Sequence, residues 1–505
     1  MLIEDFLEKI EGDSRKQYFS FETFILNILK VHIEGQNKKF LIVNNINGIG
    51  DAIAEDGFDS FEGNTVVEIK YRLDRLPSML IIDQLIRQLN RSENSSKIKN
   101  ILIINTHQIS PINKTRIEEK ITFTFPNVKI FIWGPENINK ILNKHKKQAE
   151  SIADNLFSLR LENAVNKDIG DWQKDRDGKI ELLKEVYDRA QFSIFLGAGV
   201  SSSAGMPDWN TLLNSLFVSY LTKEFNEQTN ILDLDIKEIV ERLNEIDEPS
   251  ALMAARYLRK GLSKEVTEIK EFKKTITDNL YKLRDPQKNI NSDLIKAIAS
   301  LSMPKRTGAK IRSVITYNFD DLLERELESK SIQYHSIYTD NESYHPDELP
   351  IYHVHGFLPE NSNNYERLEK STLVFSEEGY HQINTDAYHW SNLVQLASFR
   401  ENGCLMIGLS MTDPNLRRLL DIAARNSEIP KHFALMRRMT LDTFAYSKSD
   451  DGSSNQIINN LKGAEQFLDR HHKLNEEIMR ELGVTIIWFN KFEDIPVLLN
   501  KLSSL

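Results

Sequence analysis

Gln191-Phe192-Ser193-Ile194-Phe195-Leu196-Gly197-Ala198-Gly199-Val200-Ser201-Ser202-Ser203-Ala204-Gly205-Met206-Pro207-Asp208-Trp209 decides how this 505-residue chain is read. Gln191 to Leu196 is short, apolar and bounded by turn formers, the marks of a buried strand. Gly-x-Gly follows at once, then three serines, then a helical pattern from about Thr211. A strand that breaks into Gly-x-Gly lets backbone amides approach a diphosphate, because no side chain blocks the way. No Gly-Lys-Ser/Thr follows, so the turn is not a P-loop. Its third glycine is also not placed for an ordinary dehydrogenase fingerprint.

Working outward, strands are expected at Ser313–Thr316, Ile351–His355, Thr372–Phe375, Cys404–Ile407, His432–Leu435 and Thr485–Phe489, with helices between most of them. Strands alternating with helices predict an α/β fold with a Rossmann-like parallel sheet. A helical block at about 211–302 would be an insertion beside that sheet. Residues 1–145 carry their own alternation and predict a smaller α/β domain. Its expected elements are a helix at Phe19–His32, strands at Phe40–Val43, Thr65–Tyr71, Ile101–Asn105 and Val128–Trp133, and a helix at Ile81–Leu89. Residues 146–178 are polar and charged and are expected to be the linker, leaving 179–505 as the second domain.

Composition narrows the function classes. A net charge of −10 argues against a broadly basic nucleic-acid coat. The one cysteine, Cys404, excludes an internal disulfide framework and a four-cysteine zinc site, and fits a reducing cytoplasm. No run approaches the roughly 18 apolar residues of a membrane span, and the acidic start lacks a signal-peptide core. The expectation is a cytoplasmic protein with no membrane partner.

Three further segments join the first. Thr316-Tyr317-Asn318-Phe319-Asp320, His353-Val354-His355-Gly356 and Gly408-Leu409-Ser410-Met411-Thr412-Asp413 each close an expected strand. With the Gly-Ala-Gly turn they lie at the carboxyl edge of a parallel sheet, where ligands bind. The four segments, in this order over about 180–500, resemble the sirtuin family: its Gly-Ala-Gly-x-Ser turn, Thr-x-Asn-x-Asp, His-Gly and Gly-x-Ser. The resemblance implies NAD as substrate. It implies that Gly197, Ala198, Gly199 and Ser201 line the diphosphate, with Gly408 and Ser410 on the adenosine side. Asn318 would orient the ribose and water, Asp320 would bind the nicotinamide carboxamide, and His355 would be the general base. Asp208 and Trp209 would stand beside nicotinamide, where the family has Asp-Phe-Arg.

The same residues have plainer readings. Asn318 and Asp320 could cap the helix starting near Asp321. His353 and His355 alternate on one expected strand and would face the same way, yet no adjacent acid completes a metal site. Gly408 and Ser410 could be turn residues, and Trp209 a core anchor. The chain also departs from deacylating sirtuins: it lacks their two Cys-x-x-Cys pairs, so no zinc is expected, and Asn210 replaces their arginine. These departures resemble the divergent sirtuin-like NADases of bacterial antiphage defence. Such proteins assemble as oligomers, so a homo-oligomer is implied, with a HerA-type ATPase as partner. This chain has no Walker motif, so such an ATPase would be a separate subunit.

In the N-terminal region Asp59 precedes Glu68-Ile69-Lys70, and Glu68 and Lys70 share a strand face. Two carboxylates can hold Mg²⁺, and a neighbouring lysine can activate water. This resembles the Asp…Glu-x-Lys motif of restriction-endonuclease-like nucleases, with Asp51 and Asp56 as rival first acids and Glu22 on the leading helix. A cross-strand ion pair is the simpler reading. If DNA binds, the lysines of 144–147 adjoin this domain. The expected function is an antiphage effector that hydrolyses NAD to nicotinamide and ADP-ribose, with metal-dependent DNA cleavage by the N-terminal domain. The alternatives are a module sensing NAD or ADP-ribose that controls a nuclease, and a protein deacylase.

Overall fold

The computed structural model describes residues 2–10, 14–43, 50–71, 73, 85–86, 89–90, 97–165, 171–208, 211–213, 215–216, 242, 266–304, 308–340, 342–371, 373–374, 383, 385–386, 388–425, 430–448 and 454–503. Contacts divide the chain into two compact units. One comprises Met1–Leu182, Ala424–Pro430 and Met439–Thr485; the other comprises Leu183–Ala423, Lys431–Arg438 and Ile486–Leu505. Among the described residues no helix is long and apolar enough to cross a membrane.

The N-terminal unit is built on strands β1 (Phe40–Ile42), β2 (Ala52–Ala54), β3 (Gly57–Phe58), β4 (Phe61–Glu62), β5 (Thr65–Lys70), β6 (Asn100–Asn105) and β7 (Lys129–Trp133). Five of them form a mixed sheet in the order β1-β2-β5-β6-β7. The β1–β2 and β2–β5 pairs are antiparallel; β5–β6 and β6–β7 are parallel. The central strands β5 and β6 are buried along their whole length. Helix Ser14–Glu34 covers one face, packing Phe21, Phe24 and Leu29 against Val67, Ile69 and Leu102. Ile117 and Ile121 of helix Pro111–Thr124 pack with Val66, Ile101 and Ile103. Each such fully buried side chain stabilises the fold by roughly 1.5–3 kcal/mol relative to exposure.

The polar stretch expected to be a linker is helical: Lys146–Asp154, Leu156–Val165 and the start of Trp172–Asp188. Its charges are used internally. Lys179 pairs with Asp175 at 2.7 Å and Glu476 at 3.2 Å, and both Lys179 and Asp175 are buried. Burial opposes the Lys179 charge, but Glu476 and Asp175 outweigh it and hold its pKa above the usual lysine value. Glu476 lies on helix Leu461–Glu481, which packs on Leu156–Val165. A charged segment that reads as solvated is therefore a helix-to-helix interface. This departs from the expected linear split, because a late helix joins the N-terminal unit.

The second unit carries β8 (Phe192–Leu196), β9 (Ile311–Thr316), β10 (Tyr334–Ile337), β11 (Leu349–His353), β12 (Gly403–Ile407) and β13 (His432–Arg437). The last strand of its sheet is β16 (Val484–Phe489); the small hairpin β14 (Tyr446–Lys448) with β15 (Ser454–Gln456), earlier in the chain, belongs to the first unit. The seven-stranded order is β10-β11-β9-β8-β12-β13-β16. The pairs β10–β11, β11–β9, β9–β8, β8–β12 and β12–β13 are parallel. β8 and β12 are wholly buried, and Phe195 stacks on Phe399 of helix Trp390–Glu401 at 4.5 Å. From β8 the chain builds outward through β9, then crosses back to β12 on the other side. That reversal is a topological switch point, and it opens at the carboxyl ends of β8 and β12.

Most of the expected helical insertion at 211–302 lies outside the described residues, as do Thr372 and Phe375 of one expected strand and most of Ile81–Leu89. Helices Val266–Lys282 and Asp293–Ser302 are among its described parts.

Candidate active site

At the switch point two glycine turns meet at backbone contact. Gly197 caps the six-residue helix Ala198–Ser203, and its N–H donates to Ile407 O at 3.0 Å. Gly199 N–H donates to Gly408 O at 3.0 Å. A Cβ on Gly199 would stand 2.9 Å from Gly408 Cα, and Gly408 itself has φ +70°. Only glycine allows this crossing. Ser410 is exposed beyond it and bonds Thr412 Oγ1 at 2.6 Å.

The loop after β9 supplies the next group. Asn318 is pinned by its N–H to Thr316 Oγ1 at 3.0 Å and by Nδ2 to Gly197 O at 3.0 Å. The bond from Nδ2 ties this loop to the first turn. Asp320 is buried and ties them a second time: Oδ2 accepts from Ser201 Oγ at 2.5 Å, and Oδ1 accepts from Leu322 N at 3.2 Å. The second bond meets the first N–H of helix Leu322–Ser329 from the residue before its N-cap, Asp321, whose own side chain makes no cap bond. Burial raises the Asp320 pKa, and the bonds from Ser201 and Leu322 offset part of that.

The two histidines do not share a strand. β11 ends at His353, and His355 lies in the following turn, before Gly356 at φ +109°. The same-face expectation therefore fails. His353 points to Glu324 and to the Asn318 carbonyl. His355 packs edge-on against Tyr317, with ring centroids 4.6 Å apart. Burial drives the His355 pKa down to about 4, against the opposing pull of Asp413. The imidazole is thus neutral at neutral pH. Tyr317 OH donates to Gln395, which is buried on helix Trp390–Glu401. Sequence reading missed Gln395, Glu324 and Tyr281. The last donates to Asp321 Oδ1 at 2.9 Å and to Leu358 O at 3.1 Å. Their one signal was polar residues at helix positions that otherwise face a core.

Asp208 is exposed and accepts from Thr211 N at 2.8 Å, which is helix capping. Trp209 lies outside the described residues.

The N-terminal constellation is rearranged. Asp59 does not face Glu68: its carboxylate takes His32 Nε2 at 2.9 Å and Gln36 Nε2 at 3.0 Å. His32 in turn lies 3.0 Å from His145 Nε2. Asp51, the rival, is the acid near Glu68. Its Oδ2 accepts from Ile69 N at 2.6 Å. Its pKa is raised by burial first, then by Glu68 and Glu22. The strand order explains the swap. Asp51 opens β2, which pairs directly with β5, whereas Asp59 sits in the β3–β4 turn. Glu68 is held by Lys70 Nζ at 2.5 Å, and Glu22 by Arg480 at 2.6 Å. Among the described residues no three His, Cys, Asp or Glu side chains are grouped to hold a metal ion. Mg²⁺ needs several free oxygens; Glu68 and Glu22 are taken up by Lys70 and Arg480 and the pKa of Asp51 is raised, so the donors as arranged do not fit it.

Comparison with known proteins bears on the edge just described. The SIR2-like domain family matches residues 312–458, from β9 through β15. The C-terminal region carries a SIR2-like domain. The NAD(+) hydrolase ThsA of Enterococcus faecium is 24% identical over 282 residues, 54% of this chain and 49% of that protein. The chain thus spans about half the length of this curated relative.

Proposed function

We propose that the C-terminal unit hydrolyses NAD to nicotinamide and ADP-ribose, and that the chain is an effector of antiphage defence acting in the cytoplasm. The observation that carries the reading is a neutral, buried His355 beside the Asn318 loop, at the edge where two glycine turns cross. Similarity to a NAD(+) hydrolase supports it. Cleavage of the nicotinamide–ribose bond builds positive charge on the sugar, as in glycoside cleavage. Nicotinamide leaves as a neutral base, so the site needs no strong acid. Asn318 orients the ribose and the attacking water. His355 takes the proton of that water as the new C–O bond forms. Gly197, Ala198, Gly199 and Gly408 give the backbone access a diphosphate needs, and Ser410 faces the adenosine side. Asp320 acts by fastening the Ser201 turn to the Asn318 loop. A homo-oligomer, activated with a separate HerA-type ATPase subunit, belongs to the same proposal. Incubating the purified protein with NAD and measuring nicotinamide and ADP-ribose tests it; no release in any assembled state would end it.

A second reading concerns the N-terminal unit. Asp51 opposite Glu68-x-Lys70 favours a nuclease-like fold that engages DNA. The ion pairs on Glu68 and Glu22 support docking over cleavage. Plasmid nicking in Mg²⁺, compared with the Glu68→Ala/Lys70→Ala double variant, separates the two. Nicking that is lost in the variant would restore the catalytic reading.

A further inference from the structure

We infer that Glu324 and His353, buried beneath the candidate site, are positioning residues for Asn318, an assignment that rests on the NAD-cleaving reading above. Both are about 1% exposed. His353 Nε2 lies 2.7 Å from Glu324 Oε1, and Nδ1 lies 3.3 Å from the Asn318 carbonyl oxygen. A carbonyl only accepts, so Nδ1 carries a proton. The Nε2···Oε1 contact needs a proton as well. The pair therefore holds one proton more than a neutral imidazole beside a carboxylate. It is either imidazolium with carboxylate or the Nδ1–H tautomer with a carboxylic acid. Both forms make the same two hydrogen bonds and carry no net charge, which a dry site tolerates.

What the proton holds is the backbone of residue 318. The loop 317–320 is irregular, between β9 and helix Leu322–Ser329. Asn318 is fixed at its N–H by Thr316, at Nδ2 by Gly197 O and at its carbonyl by His353. That leaves Oδ1 as the acceptor for a ribose hydroxyl or a water. The pair is itself locked. Ser336 Oγ on β10 donates to Glu324 Oε1 at 3.0 Å, and the Phe357 ring centroid is 4.0 Å from that of His353. The titratable groups around it are Asp320 and Asp321 after β9, Tyr334 on β10 and Tyr365 in the segment that follows β11. Both tyrosines are pushed above their usual pKa, first by burial and then by the Glu324 charge. A carboxylate at Glu324 is thus surrounded by groups that do not compensate it, and the His353 proton is what does.

Glu324→Gln tests this, because it fills the same space and keeps an acceptor but removes the charge. The amide cannot hold the extra proton: Nε2 accepts from its N–H, and the bond from Nδ1 to the Asn318 carbonyl is no longer charge-assisted. The expected result is kcat for NAD hydrolysis lower by about 10-fold or more, the scale of a misplaced catalytic group, with KM nearly unchanged. The alkaline limb of the kcat profile should move to lower pH. A merely structural role would lower stability and leave that limb in place. Should Glu324→Gln fail to fold, ¹⁵N-histidine spectra of the wild type decide: His353 should show an Nδ1–H signal, absent in His353→Phe. A ring with no proton on Nδ1 overturns the inference. So does wild-type kcat with an unmoved limb in Glu324→Gln while Asn318→Ala is inactive. Full turnover by Asn318→Ala would instead overturn the NAD-cleaving reading.

Discussion

The two units each gather polar side chains around the end of a parallel strand pair, but they treat charge in opposite ways. In the N-terminal unit the carboxylates meet fixed cations of the same chain: Glu68 with Lys70, Glu22 with Arg480. In the SIR2-like unit the groups at the sheet edge are held by hydrogen bonds or by burial. Asn318 is tied to Gly197 O, Asp320 to Ser201 and Leu322, and His355 is held uncharged by burial. A cluster whose charges cancel internally is stable but has little left to offer a ligand. A neutral base near a pinned amide keeps its chemistry available. The difference supports the proposal of catalysis in the second unit and docking in the first.

The largest expected stability effect comes from breaking an internal pair. Arg480→Ala leaves Glu22, which is 5% exposed, without its cation. The cost should be about 3 kcal/mol, the low end for a buried pair because Arg480 is partly exposed. Denaturant unfolding measures it, and a loss near zero would mean that the Glu22 charge is solvated. Next is Asp320→Ala, which strips the partner from a buried Ser201 hydroxyl and from the Leu322 N–H. We expect about 2 kcal/mol of lost stability. If stability is untouched and only the KM for NAD rises, Asp320 contacts the nicotinamide carboxamide, and the neutral-scaffold side of the comparison must be redrawn.

A smaller effect tests the charge state of His355. Its folded pKa, about 4, lies below the ordinary 6.5. Between these values the unfolded chain binds a proton that the folded one does not. Stability from this group is therefore fully present above about pH 6.5 and lost as pH falls toward 4. The wild type should lose more stability over that window than His355→Gln. An equal pH dependence in the two would show that the imidazole is not held neutral. The acid limb of the NAD hydrolysis rate should also lie near pH 4 rather than near 6.5.

Much of the second unit was legible in sequence because its signals are local. Gly197-Ala198-Gly199 and Gly408 mark turns where a Cβ cannot fit, and apolar runs such as Cys404–Ile407 mark strands. The failures share a cause. His355 was placed on a strand that stops at His353, because a turn beginning at Val354 leaves no periodic mark. Asp59 was preferred to Asp51 because proximity in sequence hides strand order, and β2 is the strand that pairs with β5. The charged stretch ending at Gly178 reads as a linker because Glu476, the partner of the next residue, Lys179, comes some 300 residues later. Non-local ion pairs have no signature in a single sequence.

The central claim is best tested by nicotinamide release from NAD, measured for wild type, Asn318→Ala and His355→Ala in the same assembled state. The account predicts steady release by the wild type and a loss of about 10²-fold or more in each variant, the scale of a general base or an orienting group. Wild-type release from either variant, with its fold intact, would contradict it.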